Sequence, residues 1–125
     1  MKKVINTPKA PAAIGPYSQA IEANGTLYVS GQIPINPTIG KIEGLDISSQ
    51  TEQVFKNISA ILEEAGYTFG DVVKSTVYLS DMADFAGMNE VYKKYYPSEY
   101  PARAAFAVKA LPLGSLVEIE TIAVK

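Results

Sequence analysis

Two segments of the chain have helical periodicity, and the segments before, between and after them are typical of β-strands. Apolar residues recur at three- and four-residue steps from Val54 to Ala65, and again from Asp84 to Tyr96, where Pro97 ends the pattern. Strands are predicted at 26–32, 72–80, 103–108 and 116–124, with weaker candidates at 2–6 and 17–23. This order predicts an α+β fold in which two helices cover one face of a sheet.

The ends of the first helix carry their own signals. Ser49 precedes Glu52 by three residues, which is the spacing of a capping box, and Gly66 is the residue type that favours a left-handed C-terminal cap. The first helix is therefore predicted to begin at Ser49 and to end before Gly66.

The predicted strands are apolar on both faces, as Val29, Val77, Ile119 and Ile122 indicate. Two helices can cover only one face of a sheet this wide. Because the other apolar face must also be removed from water, we expect the chain to associate with further copies of itself.

The length and composition predict one soluble, cytoplasmic domain spanning residues 1–125. Nothing approaches the run of about 18 apolar residues needed to cross a bilayer. Asn6, Thr7 and Pro8 interrupt the N-terminal apolar stretch before a signal-peptide core could form. The net charge is -2 and the basic residues are scattered, which argues against nucleic-acid binding.

The chain contains neither His nor Cys. A thiol nucleophile, a serine–histidine pair, and thiolate or imidazole metal ligands are therefore excluded. The aspartates are not grouped at the spacing of a cation-binding loop, so no metal site is predicted. Any chemistry must come from carboxylates, Tyr, Lys, Arg, Ser, backbone groups or bound water.

Arg103 begins a strand inside an otherwise apolar stretch, residues 101–108. Its planar guanidinium matches a carboxylate through two parallel hydrogen bonds, which Lys would supply poorly. Either Arg103 binds a carboxylate ligand, or it pairs with Glu118 or Glu120, or it is simply exposed at the strand start. The sequence leaves these alternatives open.

Two carboxylates and a glycine are further candidates. Glu118 and Glu120 are two residues apart in a predicted strand, so both side chains point to the same face. They are either solvated or ion-paired, or one of them orients water or accepts a proton. Gly31 interrupts another strand, which indicates a bulge or a close approach of backbone to a ligand.

Several short motifs occur in a fixed order along nearly the whole chain. They are AIGPYSQA at 13–20, VSGQIP at 29–34, DVVK at 71–74, PAR at 101–103 and VEIE at 117–120. Together they resemble the RidA (YjgF-like) family of reactive-intermediate deaminases.

The resemblance implies a chorismate-mutase-like fold, a mixed sheet with two helices on one face, assembled as a homotrimer with active sites between subunits. It also implies a hydrolase that converts 2-iminobutanoate and 2-iminopropanoate to 2-keto acids and ammonia, without cofactor or metal. The expected partners are the small 2-imino acid and further copies of the chain, with no nucleic acid and no membrane.

Catalytic residues follow from the resemblance by position. Arg103 would bind the substrate carboxylate, and Glu118 would hold the attacking water or shuttle its proton. Tyr17 would complete the catalytic set and, with Asn89, would line the cleft from the adjacent subunit.

The rest of the implied pocket is formed by Ser30 and by the backbones of Gly31 and Ala105. Many relatives carry Cys where this chain has Ala105, so thiol-dependent behaviour is excluded here. The alternative function is a non-catalytic trimer that binds a small carboxylate and regulates a partner protein. Such a protein would need Arg103 but not Glu118.

Overall fold

The computed structural model describes residues 1–125 in full. Six strands form one sheet, and two helices pack on one face of it. In chain order the elements are β1 (Lys3–Ile5), β2 (Ala20–Ala23), β3 (Thr26–Gln32), β4 (Ile35–Asn36), β5 (Lys41–Ile42), α1 (Ile47–Ala65), β6 (Val72–Leu79), α2 (Phe85–Tyr92), β7 (Ala102–Ala107) and β8 (Val117–Val124). The predicted α+β class is confirmed.

The sheet is mixed, with the strand order β1-β2-β3-β8-β6-β7. Strands β6 and β7 run parallel, and all other neighbours are antiparallel. Strands β4 and β5 form a separate hairpin that the sequence analysis did not predict. No helix combines the length and the apolar character that crossing a membrane requires.

The core lies between the helices and one face of the sheet. Val54, Phe55 and Ile58 of α1 are fully buried, as the helical periodicity predicts. They belong to one cluster of 21 buried apolar residues, which includes Val77 from β6 and Ile119 from β8. The amphipathic stripe of α1 therefore fixes which sheet face is covered.

The opposite face of the sheet, here called the open face, has no helix over it. Val4, Ile21, Tyr28 and Ile122 lie opposite one another across four strands and so share this face. Val4 and Tyr28 are 57% and 50% exposed. Of the four residues that indicated two apolar faces, Ile122 lies on the open face and the other three on the covered face, so the open face is apolar only in part. Self-association remains a prediction.

The ends of α1 only partly follow the prediction. Asp46 is the N-cap, and its Oδ1 accepts a hydrogen bond from the Ser49 backbone N–H at 2.8 Å. The predicted Ser49–Glu52 capping box is wrong, because Glu52 instead contacts Lys94 and Tyr95. Gly66 does form the left-handed C-cap, with φ 81°.

The second helix is shorter than predicted. Its α-helical part ends at Tyr92, and Lys93–Tyr95 continue as a single 3-10 turn. Its apolar residues Met88, Val91 and Tyr92 are nevertheless buried, and the Tyr95 ring stacks on Phe55 at 4.5 Å between ring centres.

Candidate functional site

A bulge in β3 brings a carboxylate against the backbone. The strand register shifts between Val29 and Gln32, so Ser30 and Gly31 together lie opposite a single residue of β8. A Cβ atom at Gly31 would lie 2.0 Å from Oε2 of Glu118. The bulge predicted at Gly31 is confirmed, and the group that lies against its backbone is the Glu118 side chain; an approach to a ligand stays a prediction.

A cavity of about 500 Å³ opens beside this bulge. We call it the glutamate cavity, after Glu118 in its wall. Tyr17, Ser30 and Gly31 also line it, and so do apolar side chains that include Ile14, Ile33 and Ile35. Four of the residues selected by the resemblance thus meet in one protomer.

Glu118 has no hydrogen-bond or ion-pair partner within the protomer, although it is partly buried. Burial raises the pKa of its carboxyl above the usual 4.5, and the negative charge of Glu120 raises it further. Glu120 is exposed and accepts a hydrogen bond from the Tyr78 hydroxyl at 2.9 Å. The two carboxylates share a face, as predicted, but only Glu118 is unengaged.

The hydroxyl of Ser30 is already committed as a donor. Its Oγ donates to the carbonyl oxygen of Ser18 at 2.6 Å, which ties β3 to the segment carrying Tyr17. A ligand in the glutamate cavity can therefore use Ser30 only as a hydrogen-bond acceptor.

Arg103 lies in a second cavity of about 370 Å³, here called the arginine cavity. Its Nη1 donates to Asn89 Oδ1 at 2.7 Å, and its guanidinium carbon lies 4.7 Å from the ring centre of Tyr92. The two ion pairs of the protomer are formed by other residues. The alternative in which Arg103 pairs with Glu118 or Glu120 therefore does not hold within the protomer.

Arg103 and Glu118 lie on opposite faces of the sheet. Arg103 is opposite Ser75 on β6, and Ser75 is buried, with its Oγ 3.3 Å from the Tyr96 hydroxyl. Glu118 is opposite Tyr78, three residues further along the same strand and therefore on the open face. No small ligand can contact both side chains in one protomer.

The structure groups the site residues differently from the resemblance. Asn89 lies with Arg103, and Tyr17 lies with Glu118, so Tyr17 and Asn89 do not share a cavity within the protomer. Ala105 is on the same face as Arg103, two residues further along β7, which is an edge strand. The candidate site is thus divided into two halves.

Two aromatic residues of the arginine half were not among the site residues predicted from the sequence. Phe85 and Tyr92 both lie over the Arg103 guanidinium, at 5.5 and 4.7 Å from the ring centres. Their spacing from Asn89, four and three residues, was the available signal, because it puts all three on one helix face. No group of three or more His, Cys, Asp or Glu side chains that could hold a metal is present.

The sequence profile of the endoribonuclease L-PSP family matches residues 7–125. A RutC family protein of Pyrococcus horikoshii is 58% identical over 100% of this chain and 99% of its own length. The 2-iminobutanoate/2-iminopropanoate deaminase of Mus musculus is 51% identical over 100% of this chain and 93% of its own. A crystal structure of a Rid family protein from Yersinia pestis superposes with a TM-score of 0.97 at 50% identity, covering 100% of both chains.

Proposed function

The chain belongs to the endoribonuclease L-PSP family, the family of the RidA (YjgF-like) proteins, and on that premise we propose that it hydrolyses small 2-imino acids. The proposed substrates are 2-iminobutanoate and 2-iminopropanoate, and the products are 2-keto acids and ammonia. The proposed enzyme is a homotrimer that needs no cofactor. One observation carries the proposal: an unpaired carboxylate and an arginine without a carboxylate lie on opposite faces of one sheet.

Association of protomers is the step that would complete the site. The arginine cavity of one protomer would face the glutamate cavity of the next, so that Arg103 and Glu118 reach the same ligand. The partly apolar open face and the exposed edge strand β7 both favour such association, since each leaves groups that another chain can cover. The proposed trimer would thus have three sites between subunits.

The chemistry requires little beyond positioning and one base. Arg103 binds the carboxylate of the 2-imino acid through two parallel hydrogen bonds. Water oxygen bonds to the iminium carbon as the C=N π pair moves to nitrogen, and Glu118 accepts a proton from that water. Glu118 then delivers this proton to the nitrogen, and the carbon–nitrogen bond breaks with its electron pair leaving on ammonia. The proton of the remaining hydroxyl passes through Glu118 to the ammonia as the keto group forms. Iminium ion and water thereby become keto acid and ammonium.

The raised pKa of Glu118 suits this role, because a base is more effective when its pKa lies closer to the working pH. Ser30, which can only accept, would take a hydrogen bond from the N–H of the imine or of the leaving amine. Tyr17 would close the cavity over the substrate. Each role uses a group that makes no other hydrogen bond of that kind in the protomer.

The direct test is ammonia release from freshly generated 2-iminobutanoate, with buffer as the uncatalysed reference. The wild-type protein should accelerate it, and Arg103→Lys should accelerate it far less, although the charge is retained. A lost charge-assisted hydrogen bond costs about 1.5–3 kcal/mol, which is roughly ten- to a hundredfold. A wild-type rate equal to buffer would defeat the proposal, and near-normal activity of folded Arg103→Lys would make Arg103 structural.

The Glu118→Ala variant distinguishes the proposed enzyme from the alternative, a non-catalytic protein that binds a small carboxylate. An enzyme should lose turnover in this variant while keeping its affinity for 2-oxobutanoate, the keto acid product. A wild-type protein that binds 2-oxobutanoate but does not accelerate hydrolysis would instead be a carboxylate-binding protein.

A further inference from the structure

Three side chains of α2 hold the guanidinium of Arg103. Phe85, Asn89 and Tyr92 follow one another at steps of four and three residues and so lie along one helix face. The guanidinium carbon is 4.7 Å from the ring centre of Tyr92 and 5.5 Å from that of Phe85. Asn89 Oδ1 accepts from Nη1 at 2.7 Å.

The main support under the guanidinium is rigid. Tyr92 is only 4% exposed, and its ring packs edge-on against Phe55 at 5.6 Å and lies tilted by 41° against Tyr96 at 4.9 Å. A ring enclosed in this way cannot move aside when a ligand arrives. Arg103 itself is exposed, so the fixed surroundings and not burial restrict its orientation.

The hydroxyl of Tyr92 lies near that of Tyr96 without forming a hydrogen bond of normal geometry. Its oxygen is buried and has no hydrogen-bond partner in the protomer. A buried hydroxyl without a partner does not stabilise a fold. The part of Tyr92 that acts on Arg103 is therefore the ring face, whose negative quadrupole attracts a cation.

We propose that Tyr92, assisted by Phe85 and Asn89, is a positioning residue that fixes the plane of the Arg103 guanidinium before the substrate binds. The rings contact the guanidinium carbon and Asn89 takes one Nη1 hydrogen, which leaves the remaining N–H donors free for a carboxylate. Preorganising a long side chain raises affinity because fewer rotamers are lost on binding. The inference rests on the proposed role of Arg103 in carboxylate binding.

The test compares Tyr92→Phe with Tyr92→Leu in the assembled protein. The Kd of 2-oxobutanoate is measured by calorimetry, and KM and kcat are measured with 2-iminobutanoate. Tyr92→Phe should match the wild type within about twofold. Tyr92→Leu should raise Kd and KM by about three- to thirtyfold, the span of a cation–π contact, and leave kcat nearly unchanged.

Two further variants separate positioning from general damage to the fold. Phe85→Leu removes the more distant ring and should raise Kd in the same direction by a smaller factor. Tyr92→Leu introduced into Arg103→Lys should raise Kd little further, because the lysine has no guanidinium plane for the Tyr92 ring to fix. If Tyr92→Leu instead damaged the fold in general, it would raise Kd by the same factor in Arg103→Lys as in the wild type.

Wild-type Kd values in folded Tyr92→Leu and Phe85→Leu would overturn the inference, as would full additivity with Arg103→Lys. A kcat loss with unchanged KM in Tyr92→Leu would also overturn it. The proposed function fails separately, when the wild-type protein binds 2-oxobutanoate but shows no turnover. A wild-type protein that binds no 2-oxobutanoate overturns both.

Discussion

Glu118 and Glu120 are two residues apart on one strand face, yet their surroundings differ. Glu120 is exposed and engaged by the Tyr78 hydroxyl, whereas Glu118 is partly buried and has no partner. Successive side chains on one strand face are about 6–7 Å apart, so a water at the imine carbon can be within hydrogen-bond reach of only one of them. The unengaged side chain with the raised pKa is the better base.

We therefore expect Glu118→Gln to lower turnover by about two to four orders of magnitude, the usual span for a positioned acid–base group. Glu120→Gln is the matched control, with the same change of charge on the same face, and should alter kcat little. Steady-state deaminase kinetics on both variants give the comparison. Equal losses in two correctly assembled proteins would show that the assignment of the base is wrong.

Gly31 gives a second test of Glu118 without removing its carboxylate. A methyl group at Gly31 would start 2.0 Å from Glu118 Oε2, so the carboxylate must move away in Gly31→Ala. A displacement of about 1 Å can cost a hundredfold in rate, and we expect kcat to fall by at least about tenfold.

Gly70→Ala is the control for the Gly31 variant, because its Cβ would meet only ordinary contacts, Thr68 Oγ1 at 3.4 Å and Pro97 Cγ at 4.0 Å. Its kcat should match the wild type. Wild-type kcat in Gly31→Ala would mean that the observed position of the Glu118 carboxylate does not matter for turnover.

Elements were predictable from the sequence wherever their signal is local. The periodicity of α1 and the β-branched runs of β6 and β8 give the helices and main strands to within a few residues. The short β4–β5 hairpin was missed because two-residue strands carry no periodic signal. The N-cap was misplaced because Ser49 and Asp46 are both good capping residues, and only the geometry decides between them.

The candidate site was less predictable than the fold. The shared face of Glu118 and Glu120 follows from strand alternation, and a glycine inside a strand pattern predicted the bulge at Gly31. The separation of Arg103 from Glu118 depends on both strands pairing with β6, in registers that no local pattern encodes. Residue types therefore indicated the chemistry, while the strand pairing determined which residues meet.

The corrected N-cap gives a prediction for α1. Asp46→Ala removes the side-chain acceptor from the first turn and should lower Tm by roughly 2–8 °C, whereas Ser49→Ala should lower it less. Thermal unfolding followed by circular dichroism measures both. A larger loss in Ser49→Ala would restore Ser49 as the cap.

The same cap predicts a pH dependence. Hydrogen bonds from the Ser49 side chain and backbone lower the pKa of Asp46 below its usual 3.8. The contribution of Asp46 is therefore complete above pH 3.8 and is lost as the pH falls through the lower, folded-state pKa. The Tm difference between wild type and Asp46→Ala should accordingly shrink in strong acid.

At the scale of the whole molecule, the protomer leaves a partly apolar sheet face open and a candidate site in two halves. Tyr28 and Phe106 on the open face are 50% and 45% exposed, and β7 leaves an unpaired edge. Association would cover this surface and bring together the two halves. Both features have one explanation if the protein acts as an oligomer.

We expect a stable homotrimer, so sedimentation equilibrium should give about three times the 13.4 kDa protomer mass. The partly apolar open face motivates association, and the resemblance to the RidA family implies three copies. A monomer that persists at micromolar concentration would contradict both the assembly and the shared site.

The most direct test of a site shared between subunits is complementation between two inactive variants, Arg103→Ala and Glu118→Gln. Each variant alone should be inactive, because every site lacks one of the two side chains. When the two are co-expressed or refolded together, about a quarter of the sites in a cyclic trimer combine an intact Arg103 from one protomer with an intact Glu118 from its neighbour. Deaminase activity per site should then recover to about a quarter of the wild-type value, whereas activity that stays at the level of the separate variants in mixed trimers would place both residues in one protomer's site and contradict the account.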